Sequence, residues 1–453
     1  MRSCLLLFIA CLSASTVLHA TICQVGPLLT YTAPSQVSTL VQDGDTVDIE
    51  AATYLGDVCG WTANDLVLRG VGGMAVLDAQ YTGYAGKAIW VIAGNNTTVE
   101  KIHFVHCSVP DQNGAGIRQE GADLIVRDCI FTENENGILA NAVTGSTIRI
   151  TNSEFDHNGF GDGFSHNLYI NSVDSLIFEG NYSHHAHIGH ELKSRAKVNV
   201  IRYNRFSNEA DGDASREIDL PNGGQAFIIG NLLQQGPLGE NGNMLAFGLE
   251  GLINPAPHAL LLVNNTFLNQ RFAGSFLQLP AGVDLLKSYS NFFTGPANLL
   301  VGPYPAAVDT MGNLLLTDAS LALFTSIATL DLSLSPGSPA ESVGYPPGLY
   351  GSFDLSAYYE YAYPVGMQLR CQQATLDAGA FELCPTGILE PSSTPILINE
   401  QGFLSDPSVV SFEVFDASGR RTDHSLKPEP GCYTVRYHTT SGLVSVGRCC
   451  TDR

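Results

Sequence analysis

The 453-residue sequence predicts an all-β protein, a right-handed parallel β-helix followed by a small C-terminal β-sandwich. Three observations carry this. An apolar residue followed five positions later by an aromatic or leucine recurs at Val99…Phe104, Val126…Phe131, Ile150…Phe155, Ile177…Tyr182, Ile201…Phe206, Ile228…Leu233 and Leu262…Phe267, in steps of 27, 24, 27, 24, 27 and 34 residues. Each repeat holds two or three short alternating strands set off by Gly, Asn and Asp turns, with no sustained helical period. The last 60 or so residues alternate in short strands of their own, after a Pro/Ser/Thr-rich stretch.

A period in the twenties describes a stack of small units, each unable to bury its apolar face alone. Leucine-rich repeats share the period, but their L-x-x-L-x-L spacing is absent. In a parallel coil the recurring apolar residues stack along the axis. Asparagines just before the last apolar position, at Asn181, Asn204, Asn231, Asn265, Asn291 and Asn313, are placed to build a ladder that satisfies backbone groups at a bend. Residues 21–95 are expected to form the N-terminal cap and first rungs, with Gln42–Val47 as entry turn and strand. Residues 318–384, with Pro336, Pro339, Pro346, Pro347 and six tyrosines, are expected to close the coil by packing over its last turns.

The N-terminus reads as a signal peptide over residues 1–20: Arg2, the apolar run Leu5–Leu12, then Leu18-His19-Ala20 as a small-residue cleavage site. Export makes disulfides plausible among the nine cysteines that remain, and Cys23–Cys59 and Cys371–Cys384 are the first pairs to test. No later apolar run is long enough to span a membrane, so a secreted or outer-membrane surface location is expected, as a monomer. The net charge of −22 argues against nucleic acid as a partner. Glu390–Pro395 falls in a linker over residues 386–395. In the tail, residues 396–453, Val409–Phe415 gives a strand, Asp416–Gly419 a turn, Pro430–Tyr437 a second strand and Leu443–Gly447 a last one.

The tail resembles the C-terminal sorting domain of the Bacteroidetes type IX secretion system. The residues that carry this are Val414-Phe415-Asp416-x-x-Gly419-Arg420, Pro430-Gly431-x-Tyr433-x-Val435-Arg436 and the glycine turn before the final strand. The resemblance implies the type IX machinery as a partner and passage across the outer membrane, with the domain then cleaved or used for attachment. Cys449-Cys450 stand where the family has a basic and apolar finish.

One stretch of the repeat differs from the rest. Residues 162–224 gather histidines, carboxylates and cations, with Asn167-Leu168-Tyr169, Glu191-Leu192-Lys193 and Glu217-Ile218-Asp219 at one strand position on three successive rungs. With Leu168, Leu192 and Ile218 inward, period-two alternation turns Asn167, Tyr169, Glu191, Lys193, Glu217 and Asp219 outward, as a patch on the order of 10 Å across. Such a patch suits an acidic polysaccharide cleaved by β-elimination. A cation must first neutralise the uronate carboxylate. Arg195 is a candidate, as is a calcium ion held by Glu191, Glu217 and Asp219. Lys193 is the candidate base, and Tyr169, His185 or His190 the candidate acid. His166, Asn167, Arg216 and Asn222 complete the expected substrate-binding set. The bland alternatives are a Lys193–Glu217 cross-strand ion pair, ladder or turn asparagines at 167 and 222, and charge balance at Arg216.

At Glu191-Leu192-Lys193-Ser194 and Val200-Ile201-Arg202-Tyr203-Asn204-Arg205-Phe206 the sequence resembles the alginate lyase and chondroitinase B family of β-helix polysaccharide lyases. The resemblance covers about 60 residues and implies Lys193 as the base. Leu220-Pro221-Asn222-Gly223-Gly224 stands where that family has the Arg-His-Gly motif that supplies its acid. The wider stretch, with His166–Ile170 and Asp219–Gly224, is similar to exported bacterial right-handed β-helix repeat proteins of the pectate-lyase-like superfamily. Motifs of polygalacturonases, pectate lyases and C5-epimerases are absent, although an epimerase would use the same proton abstraction. The competing class is a non-catalytic adhesin or glycan-binding β-helix.

Overall fold

The computed structural model describes residues 20–384 except residue 372, together with strands between residues 397 and 450. Residues 1–19 of the signal segment and the linker lie outside the described residues. Three parallel sheets of 12, 11 and 10 strands run along a right-handed coil. The first extends from Ile22–Val25 and Thr46–Glu50 to Ala307–Met311, the second from Thr53–Leu55 to Leu314–Leu316, and the third from Cys59–Trp61 to Asn298–Val301. Each turn visits them in that order, so every strand pairs with its counterpart one turn away.

The bend from first to second sheet explains the recurring asparagines. One residue there takes a left-handed backbone, as at Asn152 (φ 49°), Tyr203 (φ 57°) and Asn264 (φ 51°), and the next residue turns its amide along the axis. The backbone N and Nδ2 of Asn204 donate to Asn231 Oδ1 at 3.0 and 2.9 Å. The same pattern links Asn181 to Asn204 and runs through Asn265 and Asn291 to Asn313. Ser153 and Cys129 extend it toward the N-terminus: Ser153 N donates to Asn181 Oδ1 (2.9 Å) and Cys129 N to Ser153 Oγ (3.1 Å). Asn204→Ala strands buried donors on Asn181 and the Phe178 carbonyl. It is expected to cost about 3 kcal/mol in urea unfolding, and Asn204→Ser, which copies Ser153, less.

Phe104, Phe131 and Phe155 stack inside the coil with centroids 5.0 and 4.8 Å apart. The expected column then slips by one residue. Phe155 pairs with Ser183, not Tyr182, and Ile150 pairs with Phe178, not Ile177. Both phases satisfy period-two alternation, and bulk decides between them. Phe178 turns inward, with its ring 6.0 Å from Phe155 and 5.8 Å from Phe206, and fills the core that the small Ser183 leaves open. Ile177 and Tyr182 are thereby turned outward.

Residues 318–384 reach further back than the last turns. The Phe353 ring lies 4.2 Å from Phe227, Tyr358 N donates to Tyr203 Oη (3.1 Å), and Gly366 N donates to Gly180 O (2.8 Å). The reason is apolar: Ile177, Val200, Phe227 and Leu261 face outward from the first sheet and are buried only under this segment. Cys371 and Cys384 form the expected disulfide. Cys23 and Cys59 stay free thiols, because they lie on the first and third sheets respectively. The tail holds a four-stranded antiparallel sheet of Arg421–Thr422, Val409–Phe415, Cys432–Thr439 and Val444–Cys450, and the hairpin Leu397–Asn399/Gly402–Leu404, consistent with a small β-sandwich. Among the described residues no helix is long and apolar enough to cross a membrane.

Candidate functional site

Tyr169, Lys193 and Asp219 pair across three adjacent strands of the third sheet and form an outward row. Lys193 Nζ lies 3.0 Å from Glu250 Oε1, 3.6 Å from Asp219 Oδ2 and 5.7 Å from the Tyr169 ring centre. Arg195 extends the row. Its Nε donates to Tyr169 Oη (2.9 Å), its Nη1 to Asn222 Oδ1 (2.8 Å) and its Nη2 to Glu250 Oε2 (2.5 Å). Tyr169, Lys193, Arg195, Asp219 and Asn222 are therefore gathered as the sequence suggested. Lys193 pairs with Asp219 and Glu250 rather than with Glu217. Glu250 was missed. Its only signal is an acid in the Gly248–Gly251 turn, one rung beyond Asn222.

His166 and His190 stack 4.7 Å apart at the edge of this row, with His190 N donating to His166 Nδ1 (3.0 Å). That bond fixes His166 as the Nε2–H tautomer. Burial, with Lys193 and Arg195 nearby, pushes the His166 imidazole down to about 3. Burial also lowers His190, whose Nε2 is 3.5 Å from Asp219 Oδ2. Arg216, bridged to His190 along the backbone, contributes its charge from below.

Three residues depart from the expected outward facing. Asn167, Glu191 and Glu217 are fully buried. The strand begins only at Leu168, and the residue before it sits in the bend from the second sheet, where the side chain turns into the coil. Asn167 Nδ2 donates to Glu191 Oε2 (2.6 Å), and the Glu191 carboxylate also accepts from Ser183 Oγ (3.1 Å) and Ala186 N (3.2 Å). Glu191 thus replaces an asparagine of a second ladder, Asn134–Asn158–Asn167. Desolvation pushes its carboxyl up to about 8. The carboxylate oxygens of Glu217 have no hydrogen-bond partner among the described residues, and desolvation holds its carboxyl well above the usual range. The expected calcium ligands therefore do not share a face: Glu191 and Glu217 are inside, Asp219 outside.

Met244 occupies the Glu217 position one rung on, so Glu217→Met fits the stack. Raised folded-state carboxyl pKa values mean that the folded chain holds protons the unfolded chain has lost, so stability falls as pH rises above about 4.5. For Glu191 the fall continues through about 8. Glu217→Met is expected to flatten part of that slope in pH-dependent melting. At pH 8 it should stabilise the protein by about 1–3 kcal/mol.

His185 is not in the third-sheet row. It lies just past the second-sheet strand Tyr182–His184, midway along that sheet, with Asp156 and His184, on a cleft of about 980 Å³ walled by Tyr182, Arg205, Leu330, Tyr361 and Tyr363. Asp156 and the neighbouring carboxylates outweigh the desolvation that would lower it and hold its imidazole up at about 9.

A family model described as "Right handed beta helix region" matches residues 56–168. No curated protein matches the chain. Over that stretch the match agrees with the observed architecture, and the three-sheet coil is a right-handed parallel β-helix.

Proposed function

We propose that the protein acts on an acidic, uronate-containing polysaccharide laid across the outward row of the third sheet, and that it cleaves the chain by β-elimination. The observation that supports this most is the convergence of Lys193 and Arg195 on one exposed carboxylate, that of Glu250, beside the Tyr169 ring. A uronate carboxylate is the same chemical group and takes Glu250's place, with Arg195 donating to it. With a net charge of −22 the molecule repels polyanions at long range, so recognition rests on these local cations.

Neutralising the carboxylate acidifies the proton on the carbon beside it. As it leaves Glu250, Lys193 gives its own proton up to solvent, and the neutral amine takes the proton from that carbon. A carbon–carbon double bond forms as the bond from the β-carbon to the glycosidic oxygen breaks, and the Tyr169 hydroxyl returns a proton to the departing oxygen. Secretion, with the tail as a type IX sorting domain, would bring the protein to such a polymer.

A second reading, glycan binding without chemistry, draws on the two carboxylates already flanking Lys193. Incubation with alginate, pectate and chondroitin sulfate separates the two. Ultraviolet absorbance of the unsaturated product rising with one polymer supports elimination. Retention on a polymer without product favours the binder, and neither outcome with any polymer contradicts both.

A further inference from the structure

The cleft on the second sheet holds a second constellation, on a different face from the proposed polysaccharide row. Asp156 and His184 pair across adjacent rungs. His185 follows with a left-handed backbone (φ 53°) that folds its ring back beside them. The two Nδ1 atoms of His184 and His185 are 2.8 Å apart, and they lie 3.1 and 3.3 Å from Asp156 Oδ1. Each outer nitrogen meets its own carboxylate: His184 Nε2 is 3.1 Å from Glu154 Oε1, and His185 Nε2 is 3.3 Å from Asp211 Oδ1.

Those outer contacts place a proton on each Nε2, since a carboxylate oxygen can only accept. With both rings neutral, the two inner Nδ1 atoms present lone pairs to each other and to a carboxylate oxygen. Three lone pairs converging this closely are stabilised by a cation among them, either a metal ion or a single proton. The pattern is that of metal-bound histidines whose other nitrogen is held by a carboxylate. Ligand atoms about 2.0–2.1 Å from a tetrahedral zinc ion stand about 3.3 Å apart; the two histidine–Asp156 separations of 3.1 and 3.3 Å match this, and the 2.8 Å histidine pair has to open slightly on binding. His157 Nδ1, 2.5 Å from the same Asp156 Oδ1 and with its ring stacked 4.4 Å from that of His185, holds the carboxylate in place.

We propose that Asp156, His184 and His185 bind one divalent transition-metal ion of the zinc class, with a fourth coordination position open to the cleft. Three protein ligands and an open position are the arrangement in which such an ion polarises a bound water or ligand oxygen. The competing occupant is a single proton, with His185 as imidazolium.

The test titrates the full-length metal-free protein with cobalt(II) and follows the visible absorption of tetrahedral cobalt. The expected result is saturation at one equivalent. Affinity should fall at least about 100-fold in Asp156→Asn and in His184→Gln, and about 10–100-fold in Glu154→Gln, with circular dichroism unchanged. Absence of the tetrahedral band in the wild type, or a band of equal strength in Asp156→Asn and His184→Gln, overturns the proposal. So does a histidine proton between His184 and His185 that persists in NMR spectra with cobalt replaced by excess zinc. None of these readouts uses a polysaccharide, so failure here leaves the third-sheet reading standing, and the reverse holds equally.

Discussion

Lys193→Ala is expected to lower the rate of unsaturated-product formation by about 10²–10⁴-fold, the usual contribution of a positioned base, in a protein whose circular dichroism is unchanged. The loss should fall on kcat, since Arg195 keeps its bonds to Tyr169 and Asn222 and still receives the substrate carboxylate. Tyr169→Phe retains the ring beside both cations but removes the hydroxyl that returns the proton and that accepts from Arg195 Nε, so it is expected to depress kcat and to raise KM as well. A Lys193→Ala protein that turns over at the wild-type rate would remove Lys193 from the chemistry.

The largest stability effect is expected at the aromatic column. Phe131 is fully buried between Phe104 and Phe155, with ring planes 9° and 3° from parallel. Phe131→Ala removes both stacking contacts and leaves a cavity between Phe104 and Phe155, at a cost of about 3–5 kcal/mol in urea unfolding. Because each rung contacts chiefly its neighbours, hydrogen exchange should quicken first in Leu124–Arg127 and Glu154–Asp156 and least near Leu285–Tyr289. A cost below about 1 kcal/mol would mean that the column does not hold these rungs together.

The asparagine ladder was legible in the sequence because a polar residue recurring at one phase of an apolar repeat has few physical reasons to be there. The site row at Tyr169, Lys193 and Asp219 was legible for the related reason that alternation is reliable inside a strand. It failed one residue outside. Asn167, Glu191 and Glu217 precede their strands, and nothing local marks the boundary between Asn167 and Leu168. The register slip had a further consequence. With Tyr182 set against Phe155, His184 falls opposite His157. Only with Ser183 in that place does His184 meet Asp156. Glu250 was hidden by distance along the chain, 57 residues beyond Lys193.

The functional proposal turns on whether Lys193 and Arg195 receive a substrate carboxylate in place of Glu250. Calorimetric titration of wild type, Glu250→Gln and Arg195→Ala with oligogalacturonate, oligo-alginate and chondroitin oligosaccharides measures this directly. One oligomer is expected to bind roughly tenfold more tightly to Glu250→Gln, a gain of about 1.4 kcal/mol, and to lose most of its affinity for Arg195→Ala. Equal or weaker binding to Glu250→Gln, or unchanged binding to Arg195→Ala, would contradict the assignment of this row as the carboxylate-recognition site.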